Sequence, residues 1–167
     1  MTASWKPIYL VGTRHRFQGW RKILCSTPKH QLDEFKIFLQ RAIHKYGIRS
    51  VAEEMSIEAL TTYSRPDMPP GKSIPRLAAE ELEVPVPHKY CDPDSARRHE
   101  LNITNNDDDQ DRKKREAEWL AQLVPFASFP CLFVLGSEHV SGFSGLLSAS
   151  GFKPILLEQE WWPSNYA

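Results

Sequence analysis

Ile8-Tyr9-Leu10-Val11-Gly12-Thr13-Arg14-His15 and Cys131-Leu132-Phe133-Val134-Leu135-Gly136-Ser137-Glu138-His139 decide how this chain is read. Each is a short apolar run that ends in Gly-x-x-His. A short run with little alternation is the pattern of a strand buried on both faces, as in a parallel sheet. The glycine lets the chain leave the strand sharply and lets another backbone or a ligand come close. The histidine is thereby carried just beyond the carboxyl end of the strand, where open parallel sheets bind their ligands. Two strands that each deliver a histidine to that edge point to a built site.

Outward from these tetrads, five stretches predict strands: 8–12, 48–53, 84–90, 130–136 and 153–158. Helical patterns lie between them. Thr27 as N-cap and Pro28 at the first helical position would open a helix over 28–46. Leu32, Phe35, Leu39, Ala42 and Tyr46 share one of its faces, and Gly47 is placed to end it. Ser56 to Tyr63 predicts one or two helical turns, and Ser73 to Glu83 a further helix. A strong helix is expected over 111–124, and a last short one over Gly142 to Ser150. Alternation of strand and helix argues for a single-domain, three-layer α/β fold over residues 1–167. Its mostly parallel sheet would have about five strands, with helices on both faces. Two loops, near 64–72 (Pro66-Asp67-Met68-Pro69-Pro70-Gly71) and near 99–111 (with Asp107-Asp108-Asp109), are expected to be mobile.

Composition narrows the function. The chain has 167 residues, 41% of them hydrophobic, which is enough for one real core. The 21 basic and 21 acidic residues cancel, so no global field gathers nucleic acid or an anionic membrane. No apolar run approaches the roughly 20 residues that span a bilayer. The start, Met1-Thr2-Ala3-Ser4-Trp5-Lys6-Pro7, lacks the layout of a signal peptide. Cys25, Cys91 and Cys131 have no zinc spacing, and Cys131 reads as a small core residue. A cytoplasmic, reduced location is expected. No Gly-x-Ser-x-Gly elbow is present, which argues against a serine nucleophile.

Candidate chemistry gathers around the strand ends. His15 and His139 could serve as a general base and acid, or as two ligands of one metal. Glu53 and Glu54 close the second strand, and successive strand residues face opposite sides. One of the two carboxylates would turn into the site, and the other would be solvated or paired with a neighbouring base; the sequence leaves open which. Asp92 follows the third strand and can reach the same edge. His88-x-x-Cys91 is too small a set to make a zinc site by itself. On the 111–124 helix, Glu116, Trp119, Leu120 and Leu123 form one stripe, which Arg112 and Arg115 continue toward the N-terminus. A right-handed crossover puts those first turns at the carboxyl edge of the sheet. Arg115 and Glu116 are therefore site candidates. Arg65 and Arg76 are candidates for binding an anionic substrate. Trp161 and Trp162 read as aromatic packing of the C-terminal stretch over the core.

This order of motifs resembles the EreA/ChaN-like superfamily, which includes erythromycin esterases, haem-binding ChaN-type lipoproteins and TraB/TIKI/GumN-type proteins. The resemblance spans roughly residues 8 to 158 and rests on the two Gly-x-x-His tetrads, Glu53-Glu54, Asp92, Arg115-Glu116-x-x-Trp119-Leu120, and the Gly-Leu-Leu and Gly-Phe that follow the second tetrad. It implies a pocket holding His15, Glu53 or Glu54, Arg115, Glu116 and His139. It further implies a hydrolase acting on an ester, amide or related bond. Such an enzyme would be either metal-free or dependent on a divalent ion (Mn, Co or Zn) held by His15, Glu54 and His139. The chain is shorter than typical members and is expected to lack their capping insertions, so substrate class does not carry over. Rival expectations are a non-catalytic module that binds haem, a metal or a small molecule, and a regulatory interaction domain. The partner expected on the leading reading is a small-molecule or peptide ligand, with no nucleic acid and no membrane; a homo-oligomer is left open.

Overall fold

The computed structural model describes residues 6–19, 27–62, 65–104 and 108–164. Five strands form one all-parallel sheet: β1 (Pro7–Thr13), β2 (Ser50–Glu53), β3 (His88–Tyr90), β4 (Cys131–Gly136) and β5 (Lys153–Glu158). Their order across the sheet is β3-β2-β4-β1-β5. The two tetrad-bearing strands are therefore neighbours, with Thr13 opposite Gly136, and β2 flanks β4 on its other side. The helices are α1 (Lys29–Tyr46), α2 (Ile57–Thr62), α3 (Ile74–Glu80), α4 (Ser95–Glu100), α5 (Asp109–Leu123) and α6 (Val140–Ala149). Short 3-10 turns cover His15–Phe17 and Ser137–His139. No helix among the described residues is long and apolar enough to cross a membrane.

Strand alternation divides the core in two. Val11, Val51, Leu132 and Val134 pack with Leu32, Phe35 and Leu39 of α1 and Ile74, Leu77 and Ala78 of α3. Ile8, Leu10, Ala52, Cys131, Phe133 and Leu135 pack on the opposite face with Trp119 and Leu123 of α5 and Val140, Phe143 and Leu147 of α6. Each large side chain buried here contributes about 1.5–3 kcal/mol. The division fixes the site: Glu53 continues the face of Val51, and Glu54 that of Ala52.

Several expected boundaries change. The third strand is confined to His88–Tyr90 rather than 84–90. Pro85 and Pro87 have no N–H to give to a ladder. Pro87 contributes its carbonyl to Val51 N (2.9 Å), while Val86 N turns away to Ala79 O (3.1 Å). The second strand likewise begins at Ser50 rather than 48. In α1 the cap is Pro28, at φ −57° and ψ 141°, and Thr27 makes no capping bond. Gly47 ends that helix in the left-handed conformation at φ 60°. Helix α4 was not predicted: it buries no side chain and so has no apolar stripe, although Asp94 caps it at Arg97 N. Asp108 is the N-cap of α5 and Asp109 its first residue, so most of the acidic run belongs to a helix start rather than a loop. Residue 64 and residues 105–107, parts of the two loops expected to be mobile, lie outside the described residues, as do Tyr63, the end of the helical turns expected over 56–63, and Cys25.

The C-terminal stretch crosses the end of β1. Trp161 N donates to Gly12 O (2.7 Å), and the Trp161 ring packs at 4.6 Å from Phe35 and 5.2 Å from Phe17. Trp162 lies beneath the Arg14 guanidinium at 4.3 Å. Gly12 is needed here for clearance: a Cβ would stand 1.9 Å from Gln159 O and 2.8 Å from Val140 Cγ2.

Candidate active site

Glu54 is the hub. Its backbone N–H continues the β2–β4 ladder to Val134 O (2.8 Å), which sends the side chain to the α5/α6 face. The side chain is fully buried. Oε2 accepts the Gly136 backbone N–H at 2.6 Å, and Oε1 accepts Arg115 Nη2 at 2.6 Å. Both tetrad histidines face the same oxygen: His15 Nε2 lies 3.7 Å from Oε1 and His139 Nε2 3.6 Å. The second tetrad glycine thus supplies a donor to the site, in addition to ending its strand.

The two histidines differ in exposure. The His15 side chain is 34% exposed and that of His139 is 0% exposed. His15 opens its 3-10 turn, whereas His139 closes the other and leads into α6. His139 Nδ1 pairs with Glu116 Oε1 at 2.9 Å, Nε2 is 3.5 Å from Arg115 Nη1, and the ring packs edge-on to Trp119 at 4.8 Å. Burial acts to lower the His139 pKa; the Glu116 hydrogen bond and the Glu54 charge outweigh it and hold the value above the ordinary one.

Arg115 bridges Glu54 and Asp92, whose Oδ1 accepts from Nε (3.1 Å) and Nη2 (3.0 Å). Trp119 Nε1 donates to the same oxygen at 2.9 Å, and Arg98 Nη2 to Oδ2 at 2.5 Å. Burial acts to raise the Asp92 pKa, but the Arg115 and Arg98 charges and the Trp119 bond hold it below the usual carboxylate value. Burial disfavours the Arg115 charge; Glu54 and Asp92 more than compensate and keep it firmly protonated.

Glu53, on the opposite face, is also fully buried. Its Oε1 accepts the Ser73 hydroxyl and pairs with His88 Nε2 (2.8 Å); its Oε2 accepts Gln18 Nε2 (3.1 Å). Gln18 Oε1 in turn lies 3.1 Å from His15 Nδ1. Tyr90, beside His88, has its phenol pKa raised by burial and by Glu53.

The structure therefore brings together His15, Glu54, Asp92, Arg115, Glu116 and His139. Glu53 belongs to a second network behind them. Of the two alternatives for the carboxylate outside the site, pairing with a neighbouring base is the one observed, through His88. Arg65 and Arg76 stand apart from the centre as substrate-binding candidates. Arg65 is held by Asp67 (2.7 and 2.9 Å) and the Thr27 carbonyl (2.7 Å). Arg76 is held by Glu80 four residues on (2.6 Å) and lies 5.7 Å from the centre of the Tyr90 ring. In both, a local carboxylate satisfies the guanidinium.

The residues expected to ligate a divalent ion do not fit one. Arg115 already occupies Glu54 Oε1 and approaches His139 Nε2, so one cation fills the place another would need. No group of three or more His, Cys, Asp or Glu among the described residues could hold a metal. His88 Nε2 is taken up by Glu53, and burial pushes the thiol pKa of Cys91 far up and that of Cys131 to about 12.

Sequence reasoning missed Gln18, Ser73 and Gly142. Gln18 carried no signal beyond lying three residues after His15. Ser73 was read only as the start of a helix, which it caps. Gly142 sits inside α6, and a Cβ there would stand 2.7 Å from Glu116 Oε2. A glycine inside a helix costs about 1 kcal/mol relative to alanine, and that cost was the available clue.

Fold and site define an α/β protein with a buried His/Glu/Arg centre at the carboxyl edge of its sheet. No family model, curated protein or solved structure matches the chain.

Proposed function

We propose that this chain is a hydrolase-like enzyme, acting on an ester, amide or related bond of a small-molecule or peptide ligand, in the manner of the EreA/ChaN-like proteins its motifs resemble. The observation that carries this reading is the meeting of His15 and His139, from separate strands, at one Glu54 oxygen, 3.7 and 3.6 Å away. His15 is the general base. It is the more exposed of the two, and a proton taken at Nε2 arrives beside a carboxylate that stabilises the imidazolium. Arg115, 14% exposed, carries the charge nearest the reacting atoms and faces the oxyanion. One such donor lowers a barrier by about 3 kcal/mol. His139 lies behind it and, with Glu116, fixes the position of Glu54 and Arg115.

The test is turnover of ester, amide and phosphoester panels by wild type and His15→Ala. A general base contributes about 10²–10⁴-fold, so the variant should lose at least two orders of magnitude in kcat while staying folded. Turnover that survives the substitution removes His15 from the role. Haem uptake with a Soret band and no hydrolysis would replace the enzyme reading with a binding one.

A further inference from the structure

The buried carboxylate on the far face, Glu53, has no direct part in the chemistry above, yet one side chain connects it to His15. Gln18 is fully buried and follows the 3-10 turn that His15 opens. Its backbone is pinned on both sides: N–H to His15 O at 3.0 Å, and carbonyl to Ile74 N at 2.9 Å. Its side-chain amide spans the gap between Glu53 Oε2 (3.1 Å) and His15 Nδ1 (3.1 Å).

An amide has a donor end and an acceptor end, and its two neighbours choose which faces where. Glu53 is fully buried, accepts the Ser73 hydroxyl on Oε1, and presents Oε2 to the Gln18 amide. A carboxylate oxygen accepts, so the Gln18 NH2 faces it. The reversed amide would set two oxygens against each other in a buried place, at a cost of about 1–3 kcal/mol. The Gln18 carbonyl therefore faces His15 Nδ1, and that nitrogen must carry a hydrogen. In the neutral ring the lone pair is then on Nε2, the nitrogen that faces Glu54 and the site.

We propose that Glu53 and Gln18 are positioning residues that fix the tautomer of His15, Glu53 orienting the amide and the amide keeping the proton on Nδ1. This inference rests on the reading of His15 as the base, because only a base needs its lone pair on a chosen nitrogen. A base held in the wrong tautomer can lose about four orders of magnitude in kcat.

The test is the 15N spectrum of the His15 ring at a pH where it is neutral, in wild type, Gln18→Leu and Gln18→Glu. Wild type should show a protonated Nδ1 and a bare Nε2. Gln18→Leu removes the acceptor at nearly constant size, and the proton should redistribute toward Nε2. In Gln18→Glu the two buried carboxyls share one proton, which bridges them in place of the amide NH2, and the other oxygen of the new side chain faces Nδ1, so the Nδ1–H form should return. A wild-type ring protonated at Nε2 overturns the proposal, as does a tautomer that ignores Gln18→Leu. Should the leucine variant fail to fold, an Nε2–H ring in Gln18→Glu is equally decisive against it. A tautomer that follows Gln18 in a protein that hydrolyses nothing would sink the hydrolase reading and leave the tautomer assignment standing.

Discussion

Burial assigns different work to two histidines that the sequence presents as equals. His15 is partly open to solvent and can meet a substrate. His139 is closed in by Glu54, Arg115, Glu116 and Trp119. Its pKa is raised in the fold, so the folded protein binds its proton more tightly than the unfolded chain does. The stabilisation is complete below the ordinary value of 6.5 and is lost as pH rises through the higher folded value. Urea unfolding measured from pH 6.5 upward should therefore show a decline in stability across that window. His139→Gln should flatten the decline. An equal slope in the variant would assign the pH dependence to another group. At this scale the sequence was legible where a residue's neighbours in the chain determine its place. His15, His139 and the Glu53-Glu54 pair stand at strand ends, and a strand end is visible in a string of letters; which of the two carboxylates turns into the site was not. Gln18 was hidden because its meaning depends on Glu53, which is 35 residues away.

Among the elements, α5 and α6 together build the wall behind the site. The first turns of α5 bring Arg115 and Glu116 to the carboxyl edge, as a right-handed crossover requires. Helix α6 leaves room for the Glu116 carboxylate at Gly142. Exchanging a helical glycine for alanine ordinarily stabilises by about 1 kcal/mol. Here the added Cβ displaces Glu116 from His139 and breaks a hydrogen bond to a charged group, which is worth about 1.5–3 kcal/mol. The loss exceeds the gain, so Gly142→Ala should lower the urea midpoint. A raised midpoint would show that Glu116 is not held where the structure puts it. The elements themselves were legible in proportion to their burial. Strands β1 and β4 are buried on both faces and read as continuous apolar runs, and helices α1 and α5 bury one face and leave a periodic trace. Helix α4 buries no side chain and left none. The expected third strand was too long because Val84-Pro85-Val86-Pro87 has the composition of a strand without the donors.

Across the whole molecule, one geometric fact organises the rest. Glu53 and Glu54 are consecutive at the end of β2, so they leave on opposite faces of the sheet, and each gathers its own imidazoles. Glu53 takes His88, and Glu54 faces His15 and His139. The sheet order places β4 between β2 and β1, which brings both tetrads within reach of Glu54. That order was not legible, because nothing local in a chain states which strands will be neighbours.

The most direct test of this arrangement needs no substrate. The imidazole resonances of His15, His139 and His88 can be followed in wild type and in Glu54→Gln. Both tetrad histidines should move together when that one carboxylate is neutralised, while His88, on the far face with Glu53, keeps its position. Movement of only one tetrad histidine, or of His88 alone, would contradict a single centre built on Glu54.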